Sequence, residues 1–454
     1  MDSSSNPRSP EEAVLFNPDL LSIICDDLWT DGIQSLPGGP TINPLVALAT
    51  VCSSISETAL DRLWKDIYGF NPLLRVLNVE TPGPNSEGIW AIPRDVPESI
   101  WDRFKLYAQR IRSLTLDASS RAQDHPSIYL RIINQFAGAP LFTNLKRLQV
   151  DQSFATEPHI LFLLSSPDLR EVGISLDPNP DTDAAETSEL SFSESLEHLQ
   201  IVFAPGALPR DSQDGFSSLK TLHVTGPVTS MTRVLRLIVA DILESLTFID
   251  NSSNPSYHHA CEAMHDFHLE LVGRFNLSLH ELSLTYPYRA IASQEHWESS
   301  LAVFEPLYQM RLLKTLHYSS DLAFDQGMVE NKLVRAWPSI ETICIPRLAV
   351  PLPCEVLPVL AAECSQLASL TIPIEFPESG ALPPRQVCRH GLRVFSSPDI
   401  PVENPVRVAG YLDSLFPYLA KIDGGDRWDE VERIILDACQ LVRGDERGRI
   451  WNRT

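Results

Sequence analysis

The feature that most constrains this chain is a six-residue unit that recurs along most of its length. Its form is Leu-x-x-Leu-x-Leu, with Ile, Val and Phe among the substitutes. It runs through Ile111–Leu116, Leu145–Val150, Leu169–Ile174, Leu196–Ile201, Leu219–Val224, Leu243–Phe248, Leu279–Leu284, Leu313–Tyr318, Ile340–Ile345 and Leu367–Ile372. Shortened copies follow at Leu392–Phe395 and Leu419–Ile422. Successive starts lie 23 to 36 residues apart. Alternation at the end of each unit predicts a strand whose apolar residues share one face. Helical patterns fall between several units, at Glu157–Leu164, Met231–Leu243, His259–Phe275, Trp297–Met310 and Pro405–Leu419. One strand with one helix cannot bury an apolar face by itself. Stacked copies can, so the expected class is α/β, a repeat coil with a parallel sheet.

The unit resembles the leucine-rich repeat, a family with a period of about 20–29 residues. Only Leu243–Asn251 completes the family's Leu-x-x-Leu-x-Leu-x-x-Asn, so the asparagine ladder between turns is expected to be largely missing. The resemblance implies an irregular solenoid whose parallel sheet lines its concave side. Residues flanking the middle apolar position of each strand point away from the core. They are Arg147 and Gln149, His198 and Gln200, Thr221 and His223, Glu281 and Ser283, Thr315 and His317, and Ser369 and Thr371. Such a face can hold a polypeptide through many small contacts, and a solvated sheet would carry the same residue types. The candidate substrate-binding residues are Arg147, Gln149, His198, Gln200, His223 and His317. Tyr286 and Tyr288, in the stretch after one strand, join them as aromatic anchors, because Tyr is favoured at interface hot spots.

Ahead of the repeats, Phe16 to Tyr68 carries three short helical patterns. Asn17 is placed to cap a helix with Pro18 at its first position, followed by Leu20, Leu21, Ile23, Ile24 and Leu28 at helical spacing. Asn43 and Pro44 repeat that opening before Leu45, Leu48, Ala49, Cys52 and Ile55. Ser56 is the expected cap of a third helix with Leu60, Leu63, Trp64 and Ile67. Helices this short bury little between them, so their apolar surface serves either a partner or the remainder of the chain.

These residues resemble the F-box. The matching pieces are Phe16-Asn17-Pro18-Asp19-Leu20-Leu21-Ser22-Ile23-Ile24, then Leu48-Ala49-Thr50-Val51-Cys52, then Leu63-Trp64. Phe16 stands where the family has leucine, and the family's tryptophan after Val-Cys is replaced by Ile55. The passage Trp101–Ile111, running into Arg112–Leu116, resembles the junction in F-box proteins of mushroom-forming fungi. The resemblance implies docking to a Skp1-like adaptor and, through it, to the cullin of a ubiquitin ligase. The implied Skp1-binding residues are Pro18, Leu20, Leu21, Ile24, Leu28, Leu45, Leu48, Val51, Cys52, Leu63 and Trp64.

The expected organisation is a disordered leader over 1–13, a short all-helical F-box over 14–70, and a linker with a connecting helix over 71–110. An irregular leucine-rich-repeat solenoid over 111–425 and a capping helix over 426–454 complete it. Turn-rich Thr81–Gly88, acidic Asp177–Glu189 and Pro-rich Phe376–Pro384 read as linker and loops. The cap is read from Trp428 to Leu441, amphipathic with an acidic polar face.

Charge and motifs narrow the function. A formal charge of −23 opposes nucleic-acid backbones and anionic membranes alike. No apolar run approaches the roughly 18 residues that span a bilayer, and the first ten residues lack the apolar stretch of a secretory signal. The eight cysteines are scattered without a C-x-x-C pair and read as reduced thiols. Cytoplasmic or nuclear placement is therefore expected. No Walker loop, dinucleotide fingerprint, G-x-S-x-G or H-E-x-x-H occurs. His258, His259, Cys261, His265 and His268 form the one local cluster with metal-ligand residue types, and without a second ligand set they read as helix-face histidines. No cofactor, metal or catalytic residue is expected. The reading is a non-enzymatic substrate-recognition subunit that captures an unidentified protein. The alternative is a leucine-rich-repeat scaffold whose helices merely cap its amino end.

Overall fold

The computed structural model describes residues 17–33, 44–51, 53–77, 92–93, 95–116, 126–136, 141–151, 166, 168–175, 196–202, 217–238, 242–252, 257–286, 302–320, 332–348, 350–377 and 390–439. The expected leader, the Thr81–Gly88 linker, the Glu157–Leu164 helix and the Asp177–Glu189 loop lie outside them. So do Asn43, Cys52, Tyr288, most of Phe376–Pro384 and the chain beyond Cys439. The chain divides into two units, Met1–Leu176 with Ala185–Leu196, and Asp177–Ala184 with Glu197–Thr454.

The first unit opens with helices α1 (Pro18–Ile33), α2 (Pro44–Ala49) and α3 (Ser53–Lys65). As expected, Asn17 caps α1: its side-chain oxygen accepts the backbone N–H groups of Asp19 at 3.0 Å and Leu20 at 3.4 Å. α3 starts at Ser53, three residues ahead of the expected Ser56. Strand β1 (Asp66–Tyr68) follows at once, then α4 (Asn71–Val76), α5 (Glu98–Ala108), β2 (Ser113–Leu116), α6 (Pro126–Gln135), β3 (Arg147–Asp151) and β4 (Glu171–Ser175). The strands pair in parallel in chain order. β1 lies inside the stretch read as F-box and extends the sheet ahead of Ile111. Only Ile67 of its three residues is buried, too little for a period to register. Gly69, at φ 72°, ends it with a left-handed turn that favours glycine.

In the second unit the strands are β5 (His198–Val202), β6 (Thr221–Thr225), β7 (Ser245–Ile249), β8 (Glu281–Thr285), β9 (Thr315–Ser319), β10 (Thr342–Cys344), β11 (Leu352–Pro353), β12 (Ser369–Thr371), β13 (Ile374–Glu375), β14 (Val394–Ser397) and β15 (Lys421–Gly424). Helices α7 (Val228–Leu237), α8 (Tyr257–Phe275), α9 (Val356–Glu363), α10 (Pro405–Leu415) and α11 (Trp428–Arg433) punctuate them. Nine strands form a parallel sheet in the order β5-β6-β7-β8-β9-β10-β12-β14-β15, and β11 pairs with β13 beside it. Every expected unit falls on one of the strands β1 to β15.

Register explains the spacing of the leucines. Leu222, Leu246, Leu282 and Leu316 are direct cross-strand partners, as are Val224, Phe248, Leu284 and Tyr318. All eight are buried, together with the leading leucines Leu219, Leu243, Leu279 and Leu313. Most of these strands begin in the same way. The Lys220 carbonyl accepts the N–H of Glu244 at 2.8 Å and of Ser245 at 3.0 Å, and the Glu244 carbonyl accepts His280 at 2.8 Å and Glu281 at 3.0 Å. The pattern repeats at His280, Lys314, Glu341, Ala368 and Arg393, and in the first unit at Arg112 and Lys146. A buried residue three positions before the unit closes the preceding turn: Phe142, Met310, Trp337, Cys364 and Phe416 each accept the N–H of the unit's first residue.

The carboxy-terminal edge is covered. The Glu432 side chain accepts the Ile422 N–H of β15 at 3.0 Å, which satisfies an edge strand. Trp428 packs 5.5 Å from the Phe395 ring and donates its indole N–H to the Ile400 carbonyl at 2.7 Å. A Cβ on Gly425 would lie 2.8 Å from that same carbonyl oxygen, whereas one on Gly391 meets nothing within 4 Å. Gly425→Ala is therefore expected to destabilise the second unit by about 1–3 kcal/mol, and Gly391→Ala to stay within about 0.5 kcal/mol, both read by denaturant unfolding.

Candidate docking surfaces

Two surfaces were expected, the helices of the first unit and the outward strand face. The helices carry their own small core. Leu21 and Cys25 of α1, Leu45 of α2, and Ile55 and Ala59 of α3 are buried together, with Leu28, Leu48, Ala49 and Leu63 packed around them. Burial, with Asp26 adjacent, pushes the Cys25 thiol up, so it is held as an inert apolar filler. Arg62 reaches from α3 to the Asp26 carboxylate, and to Asp66 at 2.9 Å. α3 is fastened to α5 and to the turn after it: Trp64 stacks on Tyr107 of α5 at 4.6 Å and 10°, and Arg110, just past the helix, pairs with both Glu57 and Asp61.

This arrangement divides the expected adaptor-binding residues. Leu20 at 40%, Ile24 at 38% and Val51 at 66% are exposed. Leu28, Leu48, Leu63 and Trp64 are half-buried. Leu21 and Leu45 are corrected: both are shut inside the three-helix core, because helices this short must bury one face among themselves before any other is free. Cys52 and the side chain of Pro18 lie outside the described positions. Two further apolar side chains on these helices are exposed, Ile23 at 58% and Val46 at 47%. Ile23 lies three positions from Leu20 and beside Ile24, so the helical period already placed it on that face.

On the strand face of the first unit, Arg147 and Glu171 are register partners and ion-paired. Gln149 is partnered by Gly173, and a Cβ there would lie 1.8 Å from the Gln149 side-chain oxygen; the missing side chain leaves room for the amide.

In the second unit, His198 and Gln200 are exposed on β5, with Gln200 opposite the half-buried His223 of β6. The row continues through Thr247 and Ser283 to the half-buried His317 and on to Cys344. Ser283 Oγ lies 3.3 Å from His317 Nδ1. Burial holds both imidazoles below their ordinary value, so His223 and His317 are neutral at neutral pH. Strand topology thus makes Gln200 and His223 neighbours and leaves His317 three strands further on.

Tyr286 is corrected from a surface anchor to a core residue. Its N–H bonds the Ser319 carbonyl at 2.8 Å and it is fully buried. The alternation Leu282, Leu284, Tyr286 simply runs one step past the unit. Its hydroxyl lies 3.1 Å from Nε2 of His268, whose Nδ1 lies 2.7 Å from the Val303 carbonyl. A carbonyl only accepts, so Nδ1 carries the proton and the tyrosine hydroxyl donates to Nε2. Burial outweighs that backbone bond and lowers the His268 pKa to about 4. The histidine cluster is thereby separated: His268 is internal, and His265 lies against the Ala302 carbonyl at 3.0 Å. The side chains of His258 and His259 lie outside the described positions. Among the described residues no three His, Cys, Asp or Glu side chains group to hold a metal. Burial pushes the Cys354 and Cys364 thiols up to about 11, which leaves them protonated and poorly nucleophilic.

No family model matches the chain, and no curated protein does. Among solved structures it is similar to a chain of a yeast complex of Rad7 and Elc1, with 14% identity over 92% of this chain and 90% of that one at a TM-score of 0.39. A Bacteroides fragilis protein shows 14% identity over 70% of this chain and 68% of its own at a TM-score of 0.28.

The buried imidazole has a measurable consequence. Its folded pKa of about 4 lies below the ordinary 6.5, so the unfolded chain takes up a proton first as pH falls. Stability present above pH 6.5 is expected to fall by about 1.4 kcal/mol per pH unit on the way down to 4. Unfolding free energies measured across that window should show a shallower slope in His268→Phe than in the wild-type chain.

Proposed function

We propose that this chain is the substrate-recognition subunit of an SCF-type ubiquitin ligase. The α1–α3 helices dock a Skp1-like adaptor and through it a cullin, and the strand face of the repeats captures a protein substrate. The observation that carries the reading is the exposure of Leu20, Ile23, Ile24 and Val46 on helices whose own core is already complete, and of Val51 in the turn between α2 and α3. Apolar side chains left outward after a core closes mark a surface that serves a partner. They sit in the stretch that resembles the F-box in sequence. In this reading the chain is not an enzyme: it holds a substrate near catalytic subunits, and proximity alone raises the rate of transfer to substrate lysines. It acts in the cytoplasm or nucleus; among the described residues no helix is long and apolar enough to cross a membrane.

A second reading has its own observation. The Trp64–Tyr107 stack and the Arg110 carboxylate clamp fasten α3 to α5 and the turn after it, as in a repeat scaffold whose helices only close its end. Capture of a purified Skp1-type adaptor by the full chain separates the two. The ligase reading expects binding by the wild type that weakens about tenfold or more in Ile23→Asp and in Val51→Asp, a loss of about 1.4 kcal/mol per tenfold. A folded wild-type chain that captures no adaptor, or capture indifferent to both substitutions, overturns it in favour of the scaffold.

A further inference from the structure

A chain with 59 acidic and 36 basic side chains keeps nearly all of them off the middle of one surface. Among the described residues, the outward positions of β5 to β10, β12 and β14 hold one formally charged side chain, Glu281, and charge returns only at the edge strand β15, with Lys421 and Asp423. An ordinary protein surface is about 25–35% Lys, Arg, Glu and Asp, so eight strands would be expected to show several. Charges stand instead just before the strands, where neighbours neutralise each other: Lys220 lies 3.6 Å from Glu197, and Lys314 lies 3.8 Å from Glu341. The middle row, from Gln200 through His223, Thr247, Ser283 and His317 to Ser396, offers only neutral donors and acceptors before Asp423 of β15 closes it at the edge. His223 is faced by Gln200 and Thr247, with His198 the nearest titratable group on the adjoining strand. His317 is faced by Ser283 and Cys344, with Glu281 on the adjoining strand.

We propose that this row binds an extended, uncharged polypeptide segment rich in hydroxyl and amide side chains, lying across the strands. The proposal rests on the reading that the strand face captures a protein and is independent of adaptor docking. Depletion of charge is what distinguishes the buried centre of an interface from ordinary surface. A charged group brought onto this row loses its water and meets no opposite charge. A neutral amide or hydroxyl exchanges one set of hydrogen bonds for another. The imidazoles of His223 and His317 serve as donor and acceptor in their uncharged form.

The test uses the full chain and three labelled peptide pools. Each peptide is about 12 residues long, enough at about 3.3 Å per residue to cross eight strands about 4.8 Å apart. One pool is built from Ser, Thr, Asn, Gln, Gly, Ala and Leu; the others add Asp and Glu, or Lys and Arg. The uncharged pool is expected to bind best, with affinity changing less than about twofold between about 0.05 and 0.5 M salt. Thr247→Asp and Thr247→Lys are both expected to weaken it about tenfold or more, as is Thr371→Asp on a separate strand, with unchanged unfolding midpoints. Preference for the acidic pool with tighter binding by Thr247→Lys overturns the proposal. So does preference for the basic pool with tighter binding by Thr247→Asp, or retention of no pool above background. Adaptor capture by the same samples reports separately on the helices, so failure on the strand face is not confused with failure of the ligase reading.

Discussion

Each repeat hangs from one backbone carbonyl that receives two N–H groups of the next. Lys220, Glu244, His280, Lys314, Glu341, Ala368 and Arg393 all do this in the second unit. Their side chains have nothing in common, because the bond belongs to the main chain. What the sequence must supply is the leucine or isoleucine one residue earlier, buried so that the carbonyl points at its successor. A buried peptide group has to be paired, and this junction pairs two N–H groups at the point where the chain leaves a turn and enters the sheet. Helices vary between repeats from the 19 residues of α8 to the three of Val334–Ala336, while the junction does not.

The parts that were legible in the sequence are those that this junction repeats. Leucines at fixed offsets from a common bond necessarily recur, and every predicted unit became a strand. β1 escaped notice because it meets the same ladder, the Lys65 carbonyl accepting the Arg112 N–H at 2.9 Å, with a single buried side chain. The residues closing each preceding turn escaped for another reason. Phe142, Met310, Trp337, Cys364 and Phe416 share a position and a bond but no chemistry beyond being buried.

The candidate sites were less legible, since burial and exposure on short elements depend on partners that periodicity does not encode. Leu20 and Leu21 are neighbours of one residue type, yet one faces outward and the other into the core. Only the placement of α2 and α3 decides which. Trp64 is divided similarly: its ring lies on Tyr107, more than 40 residues along the chain, a pairing no local pattern announces. Tyr286 was readable after all, since the alternation that defines the strand reaches it and its hydroxyl has an internal partner.

The junction also governs how such a chain can change length. The repeated units start 23 to 36 residues apart, and all of that latitude falls between the end of one unit's strand and the turn that precedes the next. Doubling a flexible loop costs only about 0.6 kcal/mol in closure entropy. Adding one residue within a strand turns its later side chains over and drives Leu, Val or Phe into solvent. Insertions are thus tolerated at one place in every repeat and rejected at another. Any lineage carrying this fold can lengthen the connections along one rim, repeat by repeat, without disturbing the sheet they frame.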